Sequence, residues 1–364
     1  MTTGPQSTAE QPRPASAGIL AEAARADAEG EFQRALELLS DAAMKGDAEA
    51  INSLGHRLLT GWHTPCDPAK GVQLIEKAAQ LGSPAAAARV AALAAIGMHV
   101  QQDWKKSIGA LVFAAERGSG HAQAQLEILA EDRDLARSGE AGHTEIDRWA
   151  QLAQSINLNK WHQPAAGANL SESPLVRRFP EFIPSRFCDW LISQSMGRLE
   201  RAKVYDALAK EQTVSETRNN TAATFDLMHT DVVSALTQVR ICASTGVPFR
   251  HLEPVTVLHY DEGEQISEHY DFIDPKAPDY AREINEKGQR IVTFLIYLND
   301  DYDHGETELI ELGISHKGQK GEAMFFVNID EQGDAEPRSR HAGRPPAAGE
   351  KWIVSQFIRN RPTF

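Results

Sequence analysis

Residues 254–271 read PVTVLHYDEGEQISEHYD, and this stretch decides the architecture of the second half of the chain. It begins with β-branched and aromatic residues and is then broken by Asp-Glu-Gly, which is typical of a strand followed by a turn. It ends in His269-Tyr270-Asp271. On a strand, residues i and i+2 point to the same face, so this imidazole and this carboxylate can reach one metal ion. Such a pair also occurs by chance, so its context decides the interpretation.

The surrounding sequence repeats the strand pattern. A helical stretch at residues 186–202 is followed by short runs of Val, Ile, Phe and Tyr, separated by Gly, Asp and Asn. These runs predict strands at residues 254–260, 290–298, 308–312, 322–328 and 351–358. Strands at this spacing favour a double-sheet jelly roll, which leaves room for a site between its sheets.

Residues 218–364 contain an ordered series of short motifs. In chain order these are Tyr260-x-x-Gly263, His269-x-Asp271, Arg290-x-x-Thr293-x-Leu295-x-Tyr297-Leu298-Asn299, Gly305-Glu306-Thr307, Lys317-Gly318 with Gly321, and His341-Ala342-Gly343 followed by Gly349-Glu350-Lys351-Trp352. The series resembles the catalytic domain of the prolyl 4-hydroxylase family of iron(II)- and 2-oxoglutarate-dependent dioxygenases. The resemblance implies a double-stranded β-helix, the jelly roll of this family, with flanking helices.

The resemblance also implies the metal site. His269, Asp271 and His341 stand at the positions of the Fe2+ ligands, which are the catalytic centre of the family. Two imidazoles and one carboxylate bind one face of iron(II) and leave the other face open. The implied cosubstrates are 2-oxoglutarate and O2, and ascorbate is the implied reductant.

A cosubstrate site follows from the same resemblance. The distal carboxylate of 2-oxoglutarate needs a fixed cation, and Lys351, ten residues after His341, stands at the family's position for it. Tyr260 and Thr307 are predicted to donate hydroxyl hydrogen bonds to that carboxylate. Arg359 stands where many members have a histidine that touches the cosubstrate, so it is assigned to the same group.

Two arginines are candidates for substrate binding. Arg290 lies at the start of a predicted strand, where the family places an arginine near the substrate backbone; an ordinary strand-edge charge is the alternative. Arg218 falls in a loop that helps to cover the peptide groove in the family. Ile266 departs from the family, which usually has a tyrosine three residues before the His-x-Asp pair. This departure leaves the identity of the substrate open.

The first half of the chain is repetitive. Ala42-Ala43 with Gly46 recurs at a spacing of 36 residues, as Ala78-Ala79 with Gly82 and Ala114-Ala115 with Gly118. Apolar residues within each copy fall at helical spacing, and the small residues let neighbouring helices approach closely. The pattern predicts an α-solenoid of stacked helical hairpins and resembles the Sel subfamily of TPR-like repeats.

The predicted organisation is a disordered tail at residues 1–18, helical repeats at 19–158, a linker at 159–175 and a dioxygenase domain at 176–364. The repeat resemblance implies a concave surface that binds a peptide or protein. A scaffold or a dimerisation element is the alternative.

Composition limits the partners and the compartment. With 37 basic and 51 acidic residues, the formal net charge is -14, which disfavours nucleic acids and anionic membranes. No apolar run is long enough to span a bilayer, and the first residues do not read as a signal peptide. Three widely spaced cysteines argue against a disulfide framework and favour the cytoplasm.

The function favoured by these patterns is hydroxylation of a prolyl residue in a peptide or protein, with the repeats recruiting the substrate. A first alternative is hydroxylation of another side chain or of a small molecule. A second is a repeat-based interaction protein with a degenerate oxygenase fold.

Overall fold

The computed structural model describes residues 14–137, 145–202, 204–206, 211–213, 218–276 and 278–363. The chain divides into two compact units, Met1–Ile156 and Asn157–Phe364. Of the predicted tail at residues 1–18, residues 1–13 lie outside the described part, and the first helix begins at Pro14. No described helix combines the length and the apolar character needed to cross a bilayer.

The first unit is helical. Its helices are α1 Pro14–Ala28, α2 Phe32–Met44, α3 Ala48–Thr60, α4 Pro68–Gln80, α5 Pro84–Ile96, α6 Trp104–Glu116, α7 Gly120–Leu129, α8 Arg133–Arg137 and α9 Glu145–Gln154. Helices α2, α4 and α6 begin at residues 32, 68 and 104, and α3, α5 and α7 begin at residues 48, 84 and 120. The 36-residue period of the sequence is therefore a period of helical hairpins.

Local signals set these helix ends. The side chains of Asp67 and Asp103 accept hydrogen bonds from the backbone N–H three residues on, and so cap α4 and α6. Gly71 lies against α3 so closely that a Cβ atom there would be 2.7 Å from the Leu59 backbone nitrogen. The small residues of the repeat therefore allow the contact between α3 and α4.

The second unit contains sixteen described strands, three helices and four 3-10 turns. The strands are β1 Ala168–Glu172, β2 Leu175–Phe179, β3 Glu200–Arg201, β4 Val204–Asp206, β5 Glu211–Thr213, β6 Thr221–Phe225, β7 Val255–Tyr260, β8 Ile266–His269, β9 Arg290–Tyr297, β10 Asp303–His304, β11 Thr307–Leu309, β12 Ile314–His316, β13 Ala323–Val327, β14 His341–Gly343, β15 Pro346–Ala348 and β16 Lys351–Arg359. The helices are α10 Ser185–Met196, α11 Val232–Thr245 and α12 Pro278–Lys287, and the 3-10 turns are Leu158–His162, Phe249–His251, Ile310–Leu312 and Pro337–Ser339.

These strands form two principal antiparallel sheets. The major sheet has the order β1-β2-β13-β9-β16-β7-β6-β3, and the minor sheet has the order β12-β11-β14-β8. Leu258, Leu295 and Ile353 of the major sheet share one apolar cluster with Ile266 and Leu309 of the minor sheet. Two predictions are confirmed: a jelly roll with flanking helices in the second unit, and helical repeats in the first.

The five predicted strands correspond to β7, β9, β11, β13 and β16. The prediction at 308–312 was too long, because β11 ends at Leu309 and the chain continues as a 3-10 turn. Strands β8, β12 and β14 of the minor sheet were not predicted. They have only three or four residues each, too few to show an alternating pattern.

The predicted linker at residues 159–175 differs from the structure, which places it within the second unit. Trp161 is buried and stacks on Phe187 with ring centroids 4.5 Å apart. Residues Ala168–Glu172 form β1 at the edge of the major sheet. Burial of the indole and pairing of β1 with β2 explain why this Pro- and Gly-containing segment is folded.

Candidate active site

The short strands β8 and β14 bring two histidines together. His269 ends β8, His341 begins β14, and the two residues pair directly across the ladder. Asp271 lies two residues beyond the end of β8. The expectation that His269 and Asp271 lie on one strand is therefore correct for His269 only. Nε2 of His269 is 3.4 Å from Asp271 Oδ1, and Nε2 of His341 is 3.2 Å from Asp271 Oδ2. One ligand atom from each residue lies within 4.8 Å of the others, which is close enough for one ion.

Both imidazoles are oriented by backbone carbonyls. Nδ1 of His269 donates to the Ser267 carbonyl at 2.8 Å, and Nδ1 of His341 donates to the Ser339 carbonyl at 3.0 Å. A carbonyl only accepts, so Nδ1 carries the hydrogen and each Nε2 can offer a lone pair. This is the second-sphere arrangement that fixes metal-binding imidazoles in proteins.

The carboxylate of the cluster is kept ionised. Burial alone would raise the pKa of Asp271, but the neighbouring His341 and His269 outweigh burial and hold it well below its usual range. Burial would lower the pKa of His341, and Asp271 raises it instead. The result is a buried anion between two imidazoles, a donor set that suits a divalent transition metal.

Lys351 is a buried cation that forms no ion pair with a described residue, and the Glu306 carboxylate only partly opposes the effect of burial on its pKa. Its side chain is 1% exposed, and no described residue accepts a hydrogen bond from its ammonium or forms an ion pair with it. Burial lowers the pKa of Lys351 to about 8. An unpaired buried ammonium is costly, so this position favours an anionic ligand.

Tyr260 and Thr307 carry hydroxyl groups in the wall of the cavity that also contains this ammonium. Lys351 pairs with Tyr260 across β16 and β7, and Nζ lies 5.1 Å from the centroid of the tyrosine ring. Thr307 is buried and accepts a hydrogen bond from the Tyr297 hydroxyl at 3.1 Å. Because a hydroxyl can accept and donate together, Thr307 keeps its own hydrogen for a ligand.

One cavity of about 360 Å³ joins these groups. Its wall contains eight of the nine residues predicted for the site: His269, Asp271, His341, Lys351, Tyr260, Thr307, Arg290 and Arg218. Residues 351, 353, 355 and 357 of β16 face it at every second position. The cavity therefore runs along the inner face of the major sheet, from Lys351 to Phe357. A buried cation, two hydroxyls and a metal-binding cluster in one cavity fit a dicarboxylate that also chelates the ion.

The family model of the 2OG-Fe(II) oxygenase superfamily matches residues 255–359. Residues 255–359 form a 2OG-Fe(II) oxygenase domain. The chain is thus a 2-oxoglutarate-dependent dioxygenase, and its superfamily implies Fe2+, 2-oxoglutarate and O2, with ascorbate typical of the prolyl 4-hydroxylases. The chain is 26% identical over 247 residues to "Probable prolyl 4-hydroxylase 7" of Arabidopsis thaliana, which covers 63% of this chain and 75% of that protein.

Two further similarities cover smaller parts of the molecules. "Prolyl 4-hydroxylase subunit alpha-1" of Rattus norvegicus is 30% identical over 198 residues, which are 54% of this chain and 37% of that protein. A Sel1 repeat protein from Oxalobacter formigenes is 23% identical, covers 36% of this chain and 53% of its own, and has a TM-score of 0.26. The repeat assignment therefore rests on the period and the helical hairpins of this chain.

In the oxygenase domain, Arg290 is held in place at the wall of the cavity. Its Nε and Nη2 donate to the two carboxylate oxygens of Glu253 at 2.7 and 2.9 Å. Its guanidinium carbon lies 3.8 Å from the centroid of the Phe357 ring. Arg218 also lines the cavity, and its Nε donates to Asn220 Oδ1 at 3.3 Å. Both arginines are positioned to meet a ligand in the cavity.

Arg359 does not lie in the cavity wall, in contrast to its predicted cosubstrate role. Its guanidinium donates to Glu253 at 2.6 Å, Glu283 at 2.6 Å and the Gly288 carbonyl at 2.7 Å. Strict alternation along β16 would direct residue 359 into the cavity, but the pairing with β9 shifts between Ile358 and Arg359. This irregularity turns the side chain away from the site.

Glu253 was missed by the sequence analysis. It lines the cavity and pairs with both Arg290 and Arg359. Burial would raise its pKa, but the two guanidinium groups lower it. No motif marks Glu253, because its partners lie 37 and 106 residues away in the chain.

Proposed function

We propose that this dioxygenase hydroxylates a prolyl residue of a peptide or protein, with His269, Asp271 and His341 holding Fe2+ and Lys351 holding 2-oxoglutarate. The observation that carries the proposal is the unpaired, buried ammonium of Lys351 in the same cavity as the metal-binding cluster. The prolyl assignment is supported by the named relatives, which are prolyl 4-hydroxylases.

Each group of the cavity has a defined share in the reaction. When bound, Fe2+ with its cosubstrates supplies the oxidising chemistry, in which 2-oxoglutarate and O2 yield succinate, CO2 and a hydroxylated substrate. The lone pairs of His269 and His341 and the Asp271 carboxylate hold the ion. The Lys351 ammonium and the Tyr260 and Thr307 hydroxyls bind the distal carboxylate of the cosubstrate.

The other residues of the cavity wall exclude water and position the substrate. Leu258, Leu295 and Ile353 are apolar residues of the cavity wall, and they keep water from the reacting atoms. Arg290 carries a third guanidinium nitrogen, Nη1, beyond the two that Glu253 engages, and it can donate to a peptide carbonyl. Arg218 is placed to contact the same peptide.

The repeats are proposed to recruit the substrate. Solenoids of stacked hairpins present extended surfaces suited to peptides, and a scaffold role is the competing account. Within the chain, Cys66, Cys188 and Cys242 are free thiols, which supports a reducing cytoplasm as the compartment.

The experiment is an assay of the purified chain with Fe2+, ascorbate and 2-oxoglutarate. We expect succinate, and mass spectrometry of candidate proteins should show one added oxygen on proline. Absence of turnover in the intact chain contradicts the enzymatic proposal, and turnover that survives His269→Ala contradicts the assigned ligands.

The position of the added oxygen tests the acceptor. Ile266 is buried in the cavity wall where the resembled family usually has a tyrosine, which supports another side chain or a small molecule as the second candidate acceptor. Oxygen on another side chain or on a small molecule keeps the dioxygenase and discards the prolyl assignment.

A further inference from the structure

The carboxylate of Asp271 is held by two buried side chains to which the sequence patterns assigned no role, Thr293 of the Arg290-x-x-Thr293 motif and Asn328. The Thr293 hydroxyl donates to Asp271 Oδ2 at 2.7 Å, and Asn328 Nδ2 donates to Thr293 Oγ1 at 2.9 Å. Thr293 is 1% exposed and Asn328 is fully buried. We infer that Thr293 and Asn328 are positioning residues that fix the metal-binding carboxylate. This inference rests on the proposed metal-binding function.

The charge on Asp271 sets the direction of both hydrogen bonds. An ionised carboxylate can only accept, so the single hydroxyl hydrogen of Thr293 must point to Asp271. The oxygen of Thr293 then needs a donor, and only the amide nitrogen of Asn328 can donate to it. Asn328 Oδ1 has no hydrogen-bond partner among the described residues, so its amide is held by this one bond. Each of these two hydrogen bonds therefore has only one possible donor, Asn328 Nδ2 in the first and the Thr293 hydroxyl in the second.

Asn328 is itself held on both sides by its backbone. Its N–H donates to the Ile291 carbonyl at 2.9 Å, and its carbonyl accepts from the Glu336 N–H at 3.0 Å. Glu336 caps the 3-10 turn Pro337–Ser339, and the Ser339 carbonyl accepts the Nδ1 hydrogen of His341. Asn328 therefore links to two metal-binding side chains, by its amide to Asp271 and by its backbone to the turn that orients His341.

The consequence concerns the orientation of the carboxylate. With Oδ2 engaged by Thr293, Asp271 would offer Oδ1 to the ion. Without the Thr293 hydroxyl the carboxylate can rotate away from this orientation, and the ion would be bound less tightly.

The test is isothermal titration of the metal-free full chain with Co2+, a stable substitute for Fe2+. Thr293→Val keeps the shape of the side chain and removes the hydroxyl, and we expect a rise in the Co2+ dissociation constant of about 10- to 100-fold. Thr293→Ser restores the hydroxyl and should bind Co2+ nearly as tightly as the natural chain. Asn328→Ala should weaken binding, and combining it with Thr293→Val should add nothing further, because both act through one hydroxyl.

Thr237→Val is the matched control. Thr237 is 1% exposed and donates to the Val233 carbonyl within α11, away from the metal cluster. Its loss removes a buried hydroxyl without touching Asp271, so Co2+ affinity should not change. An unchanged dissociation constant for Thr293→Val, or equal losses for Thr293→Val and Thr293→Ser, overturns the inference. If the natural chain binds no Co2+, or His341→Ala binds it as tightly, the metal-binding proposal itself fails.

Discussion

The buried cations in and around the oxygenase cavity differ in whether they form ion pairs. The Lys351 ammonium lies over the Tyr260 ring and forms no ion pair with a described residue. In the cavity wall, the Arg290 guanidinium is neutralised by Glu253, which also pairs with Arg359 outside the wall; Arg359 pairs with Glu283 as well. A buried charge without a counter-ion is maintained for a ligand, whereas a paired one holds the structure together. This difference separates the cosubstrate site from the wall that supports it.

Lys351→Met tests the unpaired cation and should have the largest effect. Loss of the cation proposed to bind the distal carboxylate should raise the KM for 2-oxoglutarate about 100-fold or more, measured by succinate release. Co2+ affinity should stay unchanged, because Lys351 is not among the metal ligands. Lys320→Met, which removes a half-buried lysine paired with Asp189, is the control. A normal KM in Lys351→Met would remove Lys351 from the cosubstrate site.

Glu253→Ala tests the wall and should act on stability. It leaves two guanidinium groups without their shared carboxylate, which should lower the opening free energy of the major sheet by about 3–5 kcal/mol. Hydrogen exchange of β9 and β16 measures this unit by itself. Lys351→Met should change the same quantity in the opposite direction, by about 1 kcal/mol or more, since it removes an unpaired charge. Glu286→Ala, from an exposed pair with Arg282, should have no measurable effect.

The pH dependence of 2-oxoglutarate binding sharpens the contrast. Burial lowers the pKa of Lys351 to about 8 in the free protein, and a bound carboxylate favours the protonated form and raises it again. Affinity should therefore be constant below pH 8 and fall as the pH rises above it, by up to about tenfold per unit. Calorimetry of the Co2+-loaded chain between pH 7 and 9 measures this fall. A fall of the same size in Lys351→Met would assign the titration to another group.

Arg359→Met should have the smallest effect on cosubstrate binding. The side chain points away from the cavity, so the KM for 2-oxoglutarate should stay within about twofold of its original value. Loss of the pairs with Glu253 and Glu283 should instead lower the opening free energy of the sheet. A KM increase as large as that of Lys351→Met would restore the role assigned to Arg359 from the sequence.

The sequence determined the features that depend on neighbours along the chain. The 36-residue period and its capping residues specify the helical hairpins, because helix ends are set within one turn of the chain. The strands of the major sheet are long enough to be recognised. The motif series resembles one family, and through that resemblance it predicts His269, Asp271, His341 and Lys351 as site residues.

Only the tertiary structure decided which charges are free and which are paired. Lys351 and Arg359 lie on the same strand at positions of equal parity, and the sequence assigned both to the cosubstrate. The shift in pairing at Ile358–Arg359 and the carboxylates of Glu253 and Glu283 separate them. The hydrogen bonds from Asn328 to Thr293 and from Thr293 to Asp271 likewise join residues that are distant in sequence and lie on or just beyond three different strands. Pairing between buried groups depends on side chains far apart in sequence, and spacing along the chain does not encode which of them meet.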